Sequence, residues 1–177
     1  MVYCIPVLKG GGFQKKKVRL WYNDRDVRKY LSDPGGIFFL EDELEWYERI
    51  RKEKEKHRVF AIIENGSGSL AGLIGIHSID HKNGKAEMGY FLWKDYWGMG
   101  YATEAVELAL RYCFEWLGLR KVYAHVFEPN AASAKVLEKN GFTLTGRWRK
   151  HTYVPDGGFV DVLCYDLMKE EWENCLR

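Results

Sequence analysis

The chain has 177 residues, 46% hydrophobic and 29% charged, the make-up of one ordinary domain (1–177) whose core needs no disulfides. A net charge of +2 points to neither nucleic acid nor an acidic partner. No apolar run is long enough to span a bilayer and the apolar stretch in the opening MVYCIPVLKGGGF is too short for a secretory leader, so the expected compartment is the cytoplasm.

In chain order, Val18-Arg19-Leu20-Trp21 reads as a first strand. Asp26 to Leu31 reads as a short helix, stopped by Ser32-Asp33-Pro34-Gly35-Gly36. Glu41 to His57 reads as a charged helix. Its first turn carries Glu41, Asp42 and Glu43 and its end Lys52, Lys54 and Lys56, signs that match the helix dipole. Val59 to Ile63 and Leu70 to Ile79 are apolar runs around the turn Asn65-Gly66-Ser67-Gly68, a hairpin signature. A second polar turn, His81-Lys82-Asn83-Gly84, leads into a strand over Ala86 to Trp93.

Thr103 to Leu117 is an amphipathic helix, with Val106, Ala109, Leu110, Cys113, Phe114 and Leu117 at helical spacing and Gly118 as its C-cap. Lys121 to Phe127 reads as a strand and Ala131 to Lys139 as a helix ended by Asn140-Gly141. The chain closes on a hairpin, Arg147 to Val154 and Phe159 to Met168, turning at Pro155-Asp156-Gly157-Gly158. This order predicts an α/β (α+β) fold with one mixed sheet, in which the strands on either side of the Thr103 helix run parallel.

Cys4, Cys113, Cys164 and Cys175 are scattered, with no Cys-x-x-Cys pair, so reduced thiols and no metal site are expected. A single Gln beside many Lys, Arg and Glu is a bias found in thermophile proteins.

Chemistry concentrates after the Ala86 strand, in Trp97-Gly98-Met99-Gly100-Tyr101-Ala102-Thr103-Glu104-Ala105. Glycines there let backbone approach a ligand, and the free amides of a helix N-terminus favour an anion. The expected guest is a diphosphate held by backbone N–H groups, with Thr103 adding a hydroxyl or capping the helix. A plain tight turn has the same look. The stretch is not a Walker loop, because no Gly-Lys-Ser/Thr follows. It is also a poor dinucleotide fingerprint, lacking the third glycine. A second motif, Asn130-Ala131-Ala132-Ser133 through Asn140-Gly141-Phe142, follows the next strand, with Asn130 placed to cap a helix or reach a ligand amide.

In this order and separation the two motifs resemble the GNAT superfamily of acetyltransferases, whose pattern is Gln/Arg-x-x-Gly-x-Gly/Ala after one strand and Asn-x-x-Ser/Ala…Gly-Phe after the next. The resemblance runs from Val18 to Met168. The wording around Trp97, with Ala-Glu-Met-Gly-Tyr (86–90) before it, is similar to the RimJ/RimL branch and to bacterial spermidine acetyltransferases. Trp97 stands where many members carry Gln or Arg, a departure that removes one polar contact.

The resemblance implies the GNAT fold: a mixed, mostly antiparallel sheet flanked by helices, with a C-terminal β-hairpin. It implies acetyl-CoA as co-substrate and an amine-bearing acceptor, no metal, and a frequently dimeric branch. It places pantetheine beside the Ala86 strand at the backbone of Leu92 and Trp93, and the diphosphate on the amides from Trp97 through Gly98, Met99, Gly100, Tyr101 and Ala102 to Thr103. Asn130 faces pantetheine, Ser133 the thioester sulfur, and Lys139 the adenosine phosphates. A backbone N–H near Met88 to Phe91 polarises the carbonyl.

Glu87 is the implied base, directly or through water, and equally an ordinary strand carboxylate. Many relatives carry a tyrosine acid in the second-motif helix. Leu137 occupies that place here, leaving Ser133 as the nearest hydroxyl. The acceptor side is framed by Asp26 to Phe39, the Glu41 helix and the final hairpin with His151, Tyr153 and Asp161, and Trp46, Tyr47, Trp148 and Tyr153 are candidates to wall an apolar slot. Three functional readings stand: acetylation of a protein N-terminal α-amine, acetylation of a small amine (polyamine, aminoglycoside or amino sugar), and a CoA-binding module without catalysis.

Overall fold

The computed structural model describes residues 1–6, 15–31, 37–155 and 157–175, with backbone alone for 15–17. The segment expected to stop the first short helix, 32–36, and Asp156 of the final turn lie outside the described residues.

Seven strands form one sheet in the order β1-β2-β3-β4-β5-β7-β6. They are β1 Val2–Pro6, β2 Arg58–Glu64, β3 Leu70–Asp80, β4 Lys85–Leu92, β5 Lys121–Phe127, β6 Thr143–Val154 and β7 Gly158–Met168. Every neighbouring pair is antiparallel except β4 and β5, which run parallel. The helices are α1 Lys15–Tyr22, α2 Arg25–Arg28, α3 Leu40–Lys52, α4 Tyr101–Arg111, α5 Ala131–Lys139 and α6 Lys169–Cys175.

The sheet separates two cores. Period-two alternation along β2 sends Val59, Ala61 and Ile63 to one face, where they meet Val18, Trp21, Leu70 and Leu73. It sends Ile62 to the other face, into a larger core with Ile74, Ile76, Val106, Leu110, Phe114, Leu137 and Leu167. α4 supplies Ala105, Val106, Ala109 and Leu110 as one buried stripe. The helix then widens into a π turn over Tyr112–Trp116, where the Leu117 amide bonds the Tyr112 carbonyl at 3.0 Å. This turn buries Cys113 and Phe114 together, and Gly118 at φ +64° ends it.

Three expectations are corrected. Val18 to Trp21 is helix, not strand. Val18 and Trp21 are buried three residues apart while Leu20 is 64% exposed, a spacing that suits one helix face and no pleat. The first strand is instead Val2–Pro6, too short and too close to the N-terminus to show a pattern. The charged helix ends at Lys52, five residues before His57, because Glu53 leaves helical geometry and its carbonyl takes the amides of Lys56 and His57. The opening of that helix is held by Asp42, whose carboxylate accepts from the Phe39 N–H at 2.8 Å.

Candidate active site

β4 and β5 pair only at Lys85↔Lys121, Ala86↔Val122 and Glu87↔Tyr123. Beyond Glu87 they part. Met88, Gly89, Tyr90 and Phe91 on one side, and Ala124 to Phe127 on the other, line a cleft of about 780 Å³. Glu87, Asn130 and Ser133 open onto this cleft, together with Arg28, Arg49, Glu53, His57, His77 and His125.

Glu87 does not stand alone there. Its Oε1 lies 2.8 Å from His125 Nδ1. The His125 ring is packed between Tyr123, edge-on at 5.6 Å, and Trp148 at 4.5 Å, and Trp148 in turn contacts His151 at 4.7 Å. A carboxylate bonded to a ring fixed by aromatic neighbours is an oriented proton acceptor. Sequence reading missed His125. Its signal was present, two residues beyond the cross-strand partner of Glu87 and on the same face of the sheet.

Ser133 sits in the first turn of α5, whose N-cap is Asn130: the Asn130 side-chain oxygen accepts the Ser133 amide at 3.2 Å. The Ser133 hydroxyl is 3.0 Å from the Tyr90 hydroxyl, and Tyr90 also reaches the Ser133 carbonyl at 3.2 Å. Burial pushes the Tyr90 phenol up to about 12, with the Ser133 contact opposing. Tyr90 was missed as well. It rises from β4 and reaches the helix that carries Ser133, in which Leu137 is fully buried.

The loop after β4 has the predicted openness. Gly98 (φ +75°) and Gly100 (φ +82°) are left-handed, and an added Cβ at either would meet no atom within 4 Å. Gly100 is the N-cap of α4, so the helix starts at Tyr101 and Thr103 lies inside its first turn. Among the described residues, the amides of Gly98, Met99, Gly100, Tyr101, Ala102 and Thr103 donate to no protein acceptor. Six consecutive N–H groups at a helix mouth fit the oxygens of a diphosphate.

The other predicted residues are dispersed. The Leu92 carbonyl accepts Trp97 Nε1–H at 2.9 Å, and the Trp93 amide donates to the Ala71 carbonyl at 2.8 Å, so these two main-chain groups have protein partners. The Trp97 indole thereby braces the loop that its expected Gln or Arg would have served. Lys139 ends α5, exposed. Tyr153, 58% exposed, stacks edge-on with Phe159 and does not line the cleft. Asp161 accepts from the Lys150 amide at 2.8 Å and from Arg147 at 3.0 Å. Those two contacts hold its carboxyl below the usual range, the backbone N–H first. Asp161 therefore serves the bulge of β6, where Lys150 takes φ +47°, and does not line the cleft either. Trp46 lines the cleft and Trp148 reaches it only through His125.

Residues 15–143 match the family model of the acetyltransferase (GNAT) domain. The chain belongs to the GNAT family. A relative, the uncharacterised N-acetyltransferase p20 of Bacillus licheniformis, is 30% identical over 86% of this chain and 85% of its own. YdaF of Bacillus subtilis, provisionally named a ribosomal N-acetyltransferase, is 40% identical over 60% of this chain and 58% of its own. Spermidine N-acetyltransferase of Vibrio cholerae, solved with CoA and spermine, superposes with a TM-score of 0.86 over 98% of both chains at 21% identity, a likeness of fold. The GNAT fold and N-acetyltransferase activity are thus properties of this chain. Among its described residues no cluster of His, Cys, Asp and Glu is arranged to hold a metal, and no helix is long and apolar enough to cross a membrane.

Proposed function

We propose that this GNAT enzyme moves the acetyl group of acetyl-CoA onto the free α-amine of a peptide or protein N-terminus, as in the RimJ/RimL branch, with the cytoplasm as its compartment. The observation that carries the reading is the row of six unpartnered amides at Gly98–Thr103, placed at the end of the strand that presents Glu87. The row takes the diphosphate, and β4 leads from there into the cleft.

Glu87, held by His125, receives a proton from the acceptor ammonium. The freed nitrogen forms its bond to the acetyl carbon, the carbon–sulfur bond breaks, and sulfur leaves with a proton. The balance is one ammonium and one thioester in, one amide, one thiol and one proton out. Ser133, tied to Tyr90, stands as the hydroxyl for the sulfur side. An α-amine with a pKa of about 8 is roughly one-tenth neutral at pH 7, whereas a lysine amine near 10.4 is almost wholly charged, so a modest base serves the first far better.

Arg28 and Arg49 line the same cleft as Glu53 and Glu87. A mixed lining suits an acceptor with an amine at one end and peptide carbonyls behind it. A polyamine carries only cations, which the two arginines oppose. Glu53 and Glu87 nonetheless favour a short diamine as the second reading. Mass spectrometry of acetyl transfer to a panel of free peptides, Nα-blocked peptides with a free lysine, and polyamines separates them. Transfer to the free α-amine alone is expected. Transfer to polyamines with none to peptides would overturn the choice of acceptor.

A further inference from the structure

His77 and His57 have no role in the transfer described so far, yet both line the cleft. Their Nδ1 atoms are 3.3 Å apart. His57 Nε2 lies 3.4 Å from Glu53 Oε2, and the two side chains are 22% and 46% exposed. A line therefore runs from the half-buried His77 to solvent.

The direction of that line follows from the carboxylate at its outer end. An ionised carboxylate only accepts, so Glu53 Oε2, 3.4 Å away, favours the His57 tautomer that carries Nε2–H. A neutral imidazole has one N–H, so His57 Nδ1 carries a lone pair. His77 must then donate from Nδ1, which leaves the lone pair of His77 on Nε2.

Nε2 is aimed at a definite place. It lies 2.1 Å from where a Cβ on Gly75 would stand, so the ring occupies space that only a glycine leaves open. Gly75 is the cross-strand partner of Gly89, and a Cβ on Gly89 would meet nothing within 4 Å. His77 is itself the partner of Glu87, whose carboxylate leans the other way, towards His125 on β5. Opposed residues in an antiparallel pair share one face, with Cβ atoms about 5 Å apart. The open floor above Gly89 is thus flanked by Glu87 on one side and by the His77 Nε2 lone pair on the other.

We propose that His77, His57 and Glu53 form the discharge route for the proton that Glu87 takes from an ammonium acceptor, with His77 Nε2 as the atom to which Glu87 hands it on across the open floor above Gly89. The inference rests on the amine-acetylation reading above. The proton arrives at His77 Nε2, the Nδ1 proton passes to His57 Nδ1, and the His57 Nε2 proton leaves to Glu53 and water. Only N–H and O–H bonds change, and the one proton of the overall balance is accounted for. Burial, then the neighbouring His57, hold the His77 ring below its ordinary range, with Arg49 adding to this and Glu87 opposing, which keeps the ring neutral and receptive near pH 7. The charged groups around the pair are Arg49 from α3, Glu53 just past its end, Arg58 beside His57, Glu87 from β4, His125 from β5 and, along the cleft, Arg28.

The test compares wild type with His57→Gln and His77→Gln, whose amides keep polarity but cannot relay a proton. With a peptide α-amine that is mostly ammonium at the assay pH, kcat in both variants is expected to fall roughly 10-fold or more. KM for acetyl-CoA should stay put, and added imidazole should restore part of the rate. With a fluorinated amine that is neutral at the same pH, no proton needs discharge and the variants are expected to match wild type. His57→Gln changes a ring near the surface, so it remains informative if His77→Gln fails to fold. Variants with wild-type kcat and an unchanged pH profile on the ammonium acceptor would overturn the relay alone. Equal losses with both acceptors, without rescue by imidazole, would overturn it in favour of a packing role. A wild-type chain that acetylates no amine would overturn the transferase reading beneath it.

Discussion

Gly100→Ala separates the cost of a left-handed backbone from the cost of a blocked ligand. Gly100 holds φ +82° with open space around the added Cβ, so alanine meets strain and no overlap. Left-handed geometry costs an L-residue about 1–2 kcal/mol, partly offset by the stiffer unfolded chain, for a net loss of about 1 kcal/mol. In a chain of this size that lowers Tm by about 2–4 °C. The methyl, however, enters the space that the six amides face. Losing two charge-assisted N–H bonds to a diphosphate, each worth about 1.5 kcal/mol or more, weakens the Kd for CoA by about 100-fold. Gly118→Ala is the control. It sits at φ +64° just beyond the other end of the same helical run, also with nothing near its Cβ, and should reproduce the fall in Tm with no change in Kd. Scanning calorimetry and isothermal titration with CoA read the two quantities. Equal affinities for the two variants would show that the diphosphate does not use this loop.

Other substitutions and conditions probe the remaining claims. Glu87→Gln keeps the shape beside His125 but cannot take a proton, so kcat/KM at neutral pH should drop about 10²- to 10⁴-fold and recover partly as alkali frees the amine; a wild-type pH–rate profile would remove Glu87 as the base. His77 is held below its ordinary value of 6.5 in the fold, so the unfolded chain binds its proton first. Stability is therefore lost as pH falls through about 6.5, and urea titrations of His77→Gln should show a shallower loss over that window. Burial pushes the Cys113 thiol up to about 12 and Cys4 to about 11, so iodoacetamide at pH 8 followed by peptide mapping should label exposed Cys175 well ahead of both.

Much of this molecule was readable from residues that obey a period or a turn rule. The hairpin around Asn65-Gly66-Ser67-Gly68, the amphipathic helix after Gly100 and the strand over Lys121–Phe127 follow their patterns closely. Val18 to Trp21 escaped because four apolar and basic residues fit both periods, and the burial of Val18 and Trp21 together, the latter with its ring centroid 5.5 Å from that of Trp93, decides for helix. The site divided along the same line. Glu87, Asn130, Ser133 and the glycine loop announce themselves in consecutive sequence. His125, Tyr90 and the His57–His77 pair owe their positions to strand register and to where β4 and β5 separate, which no short window records. Tyr153 and Asp161 were attractive by chemistry, yet the register of β6 and β7 assigns Asp161 to a bulge.

The parting of β4 from β5 leaves a sheet interrupted at its centre, with main-chain edges that no neighbouring strand covers among the described residues. An extended guest with amides of its own supplies the missing company. Whatever binds the native form and not the unfolded chain raises stability by mass action, about 2.7 kcal/mol at a hundredfold excess over Kd. A cell replete with coenzyme would then hold a sturdier enzyme than a cell starved of it, and the lifetime of the protein would follow the metabolic state that feeds it.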